Sequence, residues 1–245
     1  MPDRRQACAI AMVAKESRPG LAKTRLTPPL APGEAAALNS CFLLDTARNI
    51  LNAGSRAAIQ GFVAYHPPEA ADFFRRLLVP AIELLPPREP GLGPSLLHAC
   101  RDLLALGYGA VCIVNSDSPT LPSAYLARAA QVLATAEDRL VLGPASDGGY
   151  YLIGVKRTHP RLFEEIDWST ERVLTQTLER AAEIGLGVDL LPEWYDVDDA
   201  AALGRLCREL AEDASRAPAS ASYLRSLAAG SEARRDLAPL LEPVV

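Results

Sequence analysis

Two of the chain's three lysines, Lys15 and Lys23, fall in one loop, Ala14-Lys-Glu-Ser-Arg-Pro-Gly-Leu-Ala-Lys-Thr-Arg-Leu26, directly after an apolar run at 7–14. The remaining positive charge is nearly all arginine. An apolar strand that feeds a turn containing Pro19 and Gly20 and carrying Lys15, Arg18, Lys23 and Arg25 suits a polyphosphate. Glycine lets backbone N–H groups approach an anion, and the cations neutralise its charge. A solvated basic loop is the competing reading, and the loop by itself does not decide between them.

Acidic residues supply the complement. The apolar run at 110–115 ends in Asn115-Ser-Asp-Ser-Pro-Thr-Leu-Pro122, which sets Asp117 in a proline-stiffened turn after a strand. Mg²⁺ prefers one or two carboxylates plus phosphate and water oxygens, so Asp117 is a candidate ligand for it, or for Mn²⁺. The alternative is a helix start, with Ser118 or Thr120 as the cap. Further on stands Tyr195-Asp-Val-Asp-Asp199. In an extended segment Asp196 and Asp198 point to one side and Val197 to the other, so the pair could share the ion at Asp117. Between the two the preference is for Asp198, while Asp199 is read as the cap of the next helix.

A third cluster is Leu142-Gly-Pro-Ala-Ser-Asp-Gly-Gly-Tyr-Tyr151. Asp147-Gly148-Gly149 reads as a hairpin turn between two apolar runs. It also suits a substrate pocket, with exposed backbone amides followed by the aromatic walls of Tyr150 and Tyr151. Trp168-Ser169-Thr170 precedes a helical stretch. Ser169 or Thr170 is expected to cap that helix, and Trp168 is read as core in preference to a stacking surface.

These residues need a frame. Apolar runs at 7–14, 58–65, 81–85, 110–115, 139–143, 150–155 and 187–191 alternate with helical patterns at 33–53, 68–78, 94–106, 122–136, 170–184 and 199–212. Leu96-Leu-His-Ala-Cys-Arg-Asp-Leu-Leu104 spaces its apolar residues at three and four, as an amphipathic helix requires. The unbroken run Val111-Cys-Ile-Val114 fits a central strand covered on both faces. The alternation predicts a three-layer α/β/α sandwich with a mostly parallel, Rossmann-like sheet. Ligands of such sheets sit beyond the carboxyl ends of the strands, where the clusters above fall. The expected organisation is one domain over 1–212, with 213–245 a peripheral helical segment and tail.

At 245 residues with 49% hydrophobic and 22% charged residues, the composition is that of an ordinary globular protein. A net charge of −5 argues against a general nucleic-acid or membrane-surface binder, so any anion site must be local. No apolar run approaches the ~18 residues of a membrane span, and no secretory signal is read at the N-terminus. Five scattered cysteines without C-x-x-C pairs indicate a reducing, cytoplasmic setting with neither disulfide framework nor zinc site. The three isolated histidines support neither a metal site nor a Ser-His-Asp triad.

Five motifs occur in order: Lys15…Pro19-Gly20…Lys23-Thr-Arg-Leu26, Ser116-Asp-Ser-Pro119, Gly143-Pro…Asp147-Gly-Gly-Tyr-Tyr151, Trp168-Ser-Thr170 and Asp196-Val-Asp198. Together they resemble the bacterial family known as DUF2064, or rSAM/selenodomain-associated transferase 1, over about residues 7–212. That family has the nucleotide-diphospho-sugar transferase (glycosyltransferase A) fold. A more distant similarity, through the Lys-Thr-Arg-Leu loop, is to the phospholactate and phosphoenolpyruvate guanylyltransferases of coenzyme F420 synthesis. The chain departs from the family pattern at Gly91-Leu-Gly-Pro-Ser95 and at Asn115.

The resemblance implies a nucleotide held by Lys15, Arg18, Gly20, Lys23, Thr24 and Arg25, and Mg²⁺ or Mn²⁺ at Asp117 with Asp196 and Asp198. The acceptor or sugar would lie near Asp147, Gly148, Gly149 and Tyr150, beside Ser169 and Thr170, with Asp117, Asp147 and Lys23 as catalytic candidates. Glycosyl transfer from an NDP-sugar to a small acceptor leads. Nucleotidyl transfer from an NTP, releasing pyrophosphate, is the alternative, and four cations in the loop suit a triphosphate. A non-catalytic nucleotide sensor comes third. Oligomeric state is not legible.

Overall fold

The computed structural model describes residues 3–87 and 91–229. The expected tail therefore divides: 213–229 is described, and 230–245 lies outside the described residues. Fourteen elements matter here: β1 (Cys8–Lys15), α1 (Pro32–Ala53), β2 (Ile59–His66), α2 (Ala71–Leu77), β3 (Ile82–Leu85), α3 (Leu92–Ala105), β4 (Ala110–Val114), α4 (Ser123–Leu133), β5 (Arg139–Pro144), β6 (Tyr150–Val155), α5 (Val173–Glu183), β7 (Gly187–Leu190), α6 (Ala200–Glu212) and α7 (Pro218–Ala229).

Among the described residues the strands form one sheet in the order β3-β2-β1-β4-β6-β5-β7. All neighbours are parallel except β6, which runs antiparallel to both β4 and β5. The chain winds outward from β1 through β2 to β3, then returns to start β4 on the other side of β1. Between β1 and β4 the strand order therefore reverses, the position at which open α/β sheets leave a crevice.

Side-chain alternation sets the layers. Ile10 and Met12 of β1 face a core completed by Leu43, Ala47 and Ile50 of α1 and Leu126, Ala130 and Leu133 of α4. Ala9 and Ala11 face the opposite core, with Leu96, Ala99 and Leu103 of α3 and Ala181 of α5. With apolar residues on both faces, β4 is buried along its whole length. The architecture is the three-layer, mostly parallel α/β sandwich that the alternation predicts.

A third core lies outside the sheet. Leu38 and Phe42 on α1 meet Leu203, Leu206 and Leu210 of α6, and Ala221 and Leu224 of α7. Helix α7 is fixed there by Asp45, a buried carboxylate of α1. It accepts hydrogen bonds from Ala219 N (3.0 Å), Ser220 N (2.9 Å) and Ser220 Oγ (2.6 Å) in the first turn of α7. These donors have no partner inside their own helix, which is why a carboxylate fits there.

The five cysteines are free. No helix among the described residues is long and apolar enough to cross a membrane.

Candidate functional site

Beyond the carboxyl ends of β1 and β4 lies a cleft of about 740 Å³. One wall is formed by Lys15, the last residue of β1, and by Lys23, Thr24 and Arg25 of the loop that follows. The floor carries Asn115, Ser116 and Asp117 after β4. Asp196 and Asp198 enter from the segment before α6, and Asp147, Gly149, Tyr150, Ser169 and Thr170 form the opposite wall.

Backbone bonds bring the two acidic segments together. After β7 the chain continues beside β5, with Leu191 N donating to Leu142 O (2.8 Å) and Trp194 N to Pro144 O (3.0 Å). Tyr151 supports this path from below, its hydroxyl donating to Pro192 O (3.0 Å). The segment then turns across the cleft floor, where Val197 N donates to Asp117 O (2.9 Å). Val197 is fully buried, so Asp196 and Asp198 face the cleft, as the alternation predicts.

Neither Ser118 nor Thr120 caps α4, which starts at Ser123, six residues beyond Asp117, with Pro122 at its N-cap position. Asp199 does cap α6, its Oδ1 accepting from Ala202 N (2.8 Å).

Lys23 joins the clusters. Its Nζ lies 2.8 Å from Asp117 Oδ1 and 2.7 Å from Asp198 Oδ1, and donates to Val197 O at 3.0 Å. The side chain is 6% exposed, against 35% and 44% for the two aspartates. Its backbone is left-handed, φ 51° and ψ 44°, which costs a non-glycine residue about 1 kcal/mol or more. Burial pulls the ammonium's pKa down, but Asp117 and Asp198 outweigh it and hold the pKa above the ordinary lysine value. Burial likewise acts upward on Asp198, yet Lys23 keeps it below the ordinary carboxylate range. Asp196 has no such partner. Burial first, then the charges of Asp198 and Asp147, push its carboxyl up to about 7.

The expected ligand set for a divalent ion was Asp117, Asp196 and Asp198. Among the described residues no group of three or more His, Cys, Asp or Glu is arranged to hold a metal. Asp117 and Asp198 do converge on a cation, the ammonium of Lys23, and offer the hard oxygens that Mg²⁺ or Mn²⁺ favours. The donor chemistry therefore fits a divalent ion, although the ammonium fills the point of convergence.

Other expected positions divide. Arg18 turns from the cleft to pair with Glu16 at 2.6 Å, because they are two residues apart on the same turn. Gly20 also lies off the cleft lining, where its φ of 75° allows the turn. Gly148 is absent from the lining too. At φ 87° its backbone packs so closely that a Cβ there would come within 2.2 Å of Glu171 O. Asp147 Oδ1 accepts from Gly149 N (2.9 Å), closing the turn that the Asp-Gly-Gly run predicts.

Neither Ser169 nor Thr170 caps α5, which begins at Val173 after Arg172. Thr170 Oγ1 instead donates to Asp167 O (2.7 Å) and accepts from Arg172 N (3.3 Å) in a local turn. The Tyr150 hydroxyl is buried, so this residue offers the cleft its ring, as the aromatic wall expected there. Trp168 packs on the core as expected, against Gly93 of α3, and also borders the cleft.

Sequence reading missed Asn39, Asn115 and the apolar pair Leu92 and Leu96, all lining the cleft. Asn39 Nδ2 donates to Ser17 Oγ (2.9 Å), tying the basic loop to α1. A signal existed in the polar residue's place on a helix face otherwise made of Ala35, Leu38 and Phe42.

Comparison with known proteins adds the following. Residues 49–170 match the family described as "Uncharacterized protein conserved in bacteria (DUF2064)". The chain is similar to a solved candidate nucleotide-diphospho-sugar transferase from Desulfovibrio desulfuricans G20. The two are 27% identical with a TM-score of 0.81, over 97% of this chain and 98% of that one.

Two further structures share the fold. One is CMP:2-keto-3-deoxy-manno-octonic acid synthetase complexed with CTP (13% identity, TM-score 0.53, 84% of this chain and 99% of that one). The other is a cytidylyltransferase from Leptospira borgpetersenii serovar Hardjo-bovis strain JB197 (10%, 0.53, 98% of each). No curated protein matches the sequence.

Proposed function

The chain belongs to the DUF2064 family, and from that premise we propose that it is a transferase using a nucleotide donor, moving a glycosyl group from an NDP-sugar to a small hydroxylated acceptor. The observation that carries this reading is the meeting, in one cleft, of the cations Lys15, Lys23 and Arg25 with Asp117, Asp198 and, across from them, Asp147. Lys15 and Arg25 are exposed on the cleft wall and would bind the donor's phosphates by charge-assisted hydrogen bonds. Arg18, paired with Glu16 outside the cleft, removes one of the four cations that matched a triphosphate, and this favours the diphosphate donor.

In the proposed reaction the acceptor's hydroxyl oxygen attacks the anomeric carbon, the bond from that carbon to the diphosphate breaks, and the hydroxyl proton passes to Asp147. One carboxylate oxygen of Asp147 is held by Gly149 N, which orients the other for this role. Tyr150 and Trp168 supply ring surface for the acceptor. Asp117 and Asp198 would hold a divalent ion, which when bound neutralises charge on the departing diphosphate.

The test is product analysis. Incubation with NDP-sugars, Mg²⁺ and hydroxylated acceptors is expected to release NDP. Release of pyrophosphate from an NTP, with no NDP from any NDP-sugar, would instead establish nucleotidyl transfer.

A further inference from the structure

Lys23 uses all three of its N–H donors on the cleft floor: Asp117 Oδ1 at 2.8 Å, Asp198 Oδ1 at 2.7 Å and Val197 O at 3.0 Å. The ammonium also lies 5.5 Å from the centre of the Phe42 ring, within cation–π range. It is thus held from several directions, by groups on α1, on the β4 loop and on the segment before α6.

A divalent ion bound to both Oδ1 atoms would sit ~2.1 Å from each. Both cations would draw on the same two oxygens, and anywhere around them the ion would lie within ~5 Å of the ammonium, where two cations repel strongly. The two occupants are therefore alternatives.

We propose that Lys23 is a built-in, exchangeable counter-ion of the Asp117–Asp198 pair, and that a divalent cation enters the pair only as the ammonium leaves it. Lys23 sits in a left-handed backbone conformation three residues after Gly20, itself at φ 75°, and two after Leu21, which is 72% exposed. Lys15 and Arg25 on the same wall mark where an anion would lie to receive the displaced ammonium. This last step rests on the donor-phosphate reading above, whereas the exclusion between ammonium and metal does not.

The probe is Mn²⁺, with the free ion counted by electron paramagnetic resonance in the absence of any nucleotide. Lys23→Gln is expected to bind Mn²⁺ at least ~10-fold more tightly than the wild type, about 1.4 kcal/mol, and Lys23→Gln/Asp198→Asn is expected to lose the gain. Wild-type protein that binds Mn²⁺ as tightly as Lys23→Gln, in a manner abolished by Asp198→Asn, overturns the proposal.

Wild type and Asp198→Asn alone decide the matter if the Lys23 variant does not fold. They should bind Mn²⁺ equally poorly when free, and once inorganic pyrophosphate is added the wild type should take up more of the ion than Asp198→Asn, the share that pyrophosphate chelates by itself being the same for both. Tight Mn²⁺ binding by the free wild type that Asp198→Asn abolishes again overturns it. A gain in Lys23→Gln with no effect of pyrophosphate supports the counter-ion and counts against the phosphate reading of the loop.

Discussion

At the scale of single residues, the basic loop separates into members with different duties. Arg25 faces the cleft while Arg18 is occupied by Glu16, although the two are equivalent as letters in a sequence. Arg25→Ala is expected to weaken nucleotide binding by about 1.5–3 kcal/mol, the range for a hydrogen bond to a charged group. Arg18→Ala is expected to leave it unchanged. Titration calorimetry on both variants checks this, and equal losses would contradict the division.

The kinds of residue at the cleft were legible, because carboxylates and cations stand directly after apolar runs. Their pairing was not. Lys23 and Asp198 are 175 positions apart, and only the folded chain reveals that a lysine read as a phosphate ligand salt-bridges two aspartates.

Among elements, the strands were the easiest to read, since a buried strand needs an unbroken apolar run and β4 and β6 have one. The start of α5 was misread by three residues. Thr170 has the composition of a cap, but it closes its own turn on Asp167, and Ser169 adopts φ 65°.

That turn packs against Gly148, whose carbonyl accepts from Leu174 N at 2.9 Å. Gly148→Ala sets a Cβ against the Glu171 backbone at a positive φ, and should cost about 1–3 kcal/mol as well as displacing the 168–171 wall. Gly185→Ala is the control. It has a similar φ of 65° but open space around it, so it reports the backbone term alone and should cost less. Thermal unfolding of both separates close approach from conformation.

For the whole molecule, α/β alternation was enough to give the layers, because each amphipathic helix must cover a sheet face. The attachment of α7 was beyond that pattern, since it depends on a carboxylate buried in the middle of α1. Asp45→Ala leaves the first donors of α7 unpaired and should cost about 1–3 kcal/mol, read as a lower melting temperature.

The pH dependence has a definite sign. Burial raises the Asp45 pKa, although Ser220 and Ala219 act against it. The folded state therefore binds this proton more tightly than the unfolded chain does. Its stabilising contribution is complete below the ordinary aspartate value of about 3.9 and is lost as pH rises through the raised folded value. Asp45→Asn should abolish that part of the slope, and denaturant melts across pH 4 to 7 would reveal it.

The bond from Val197 N to Asp117 O is made by main-chain atoms. It is therefore blind to the identity of the side chains on either partner. Drift at 117, 196 or 198 could change which charges meet across the cleft while the gap between the two segments stays the same. Spacing and chemistry can thus evolve on separate clocks, and relatives that exchange these aspartates for other residues would inherit a ready-made geometry in which to try a different reaction. At 197 that tolerance ends with proline, which has no N–H to give.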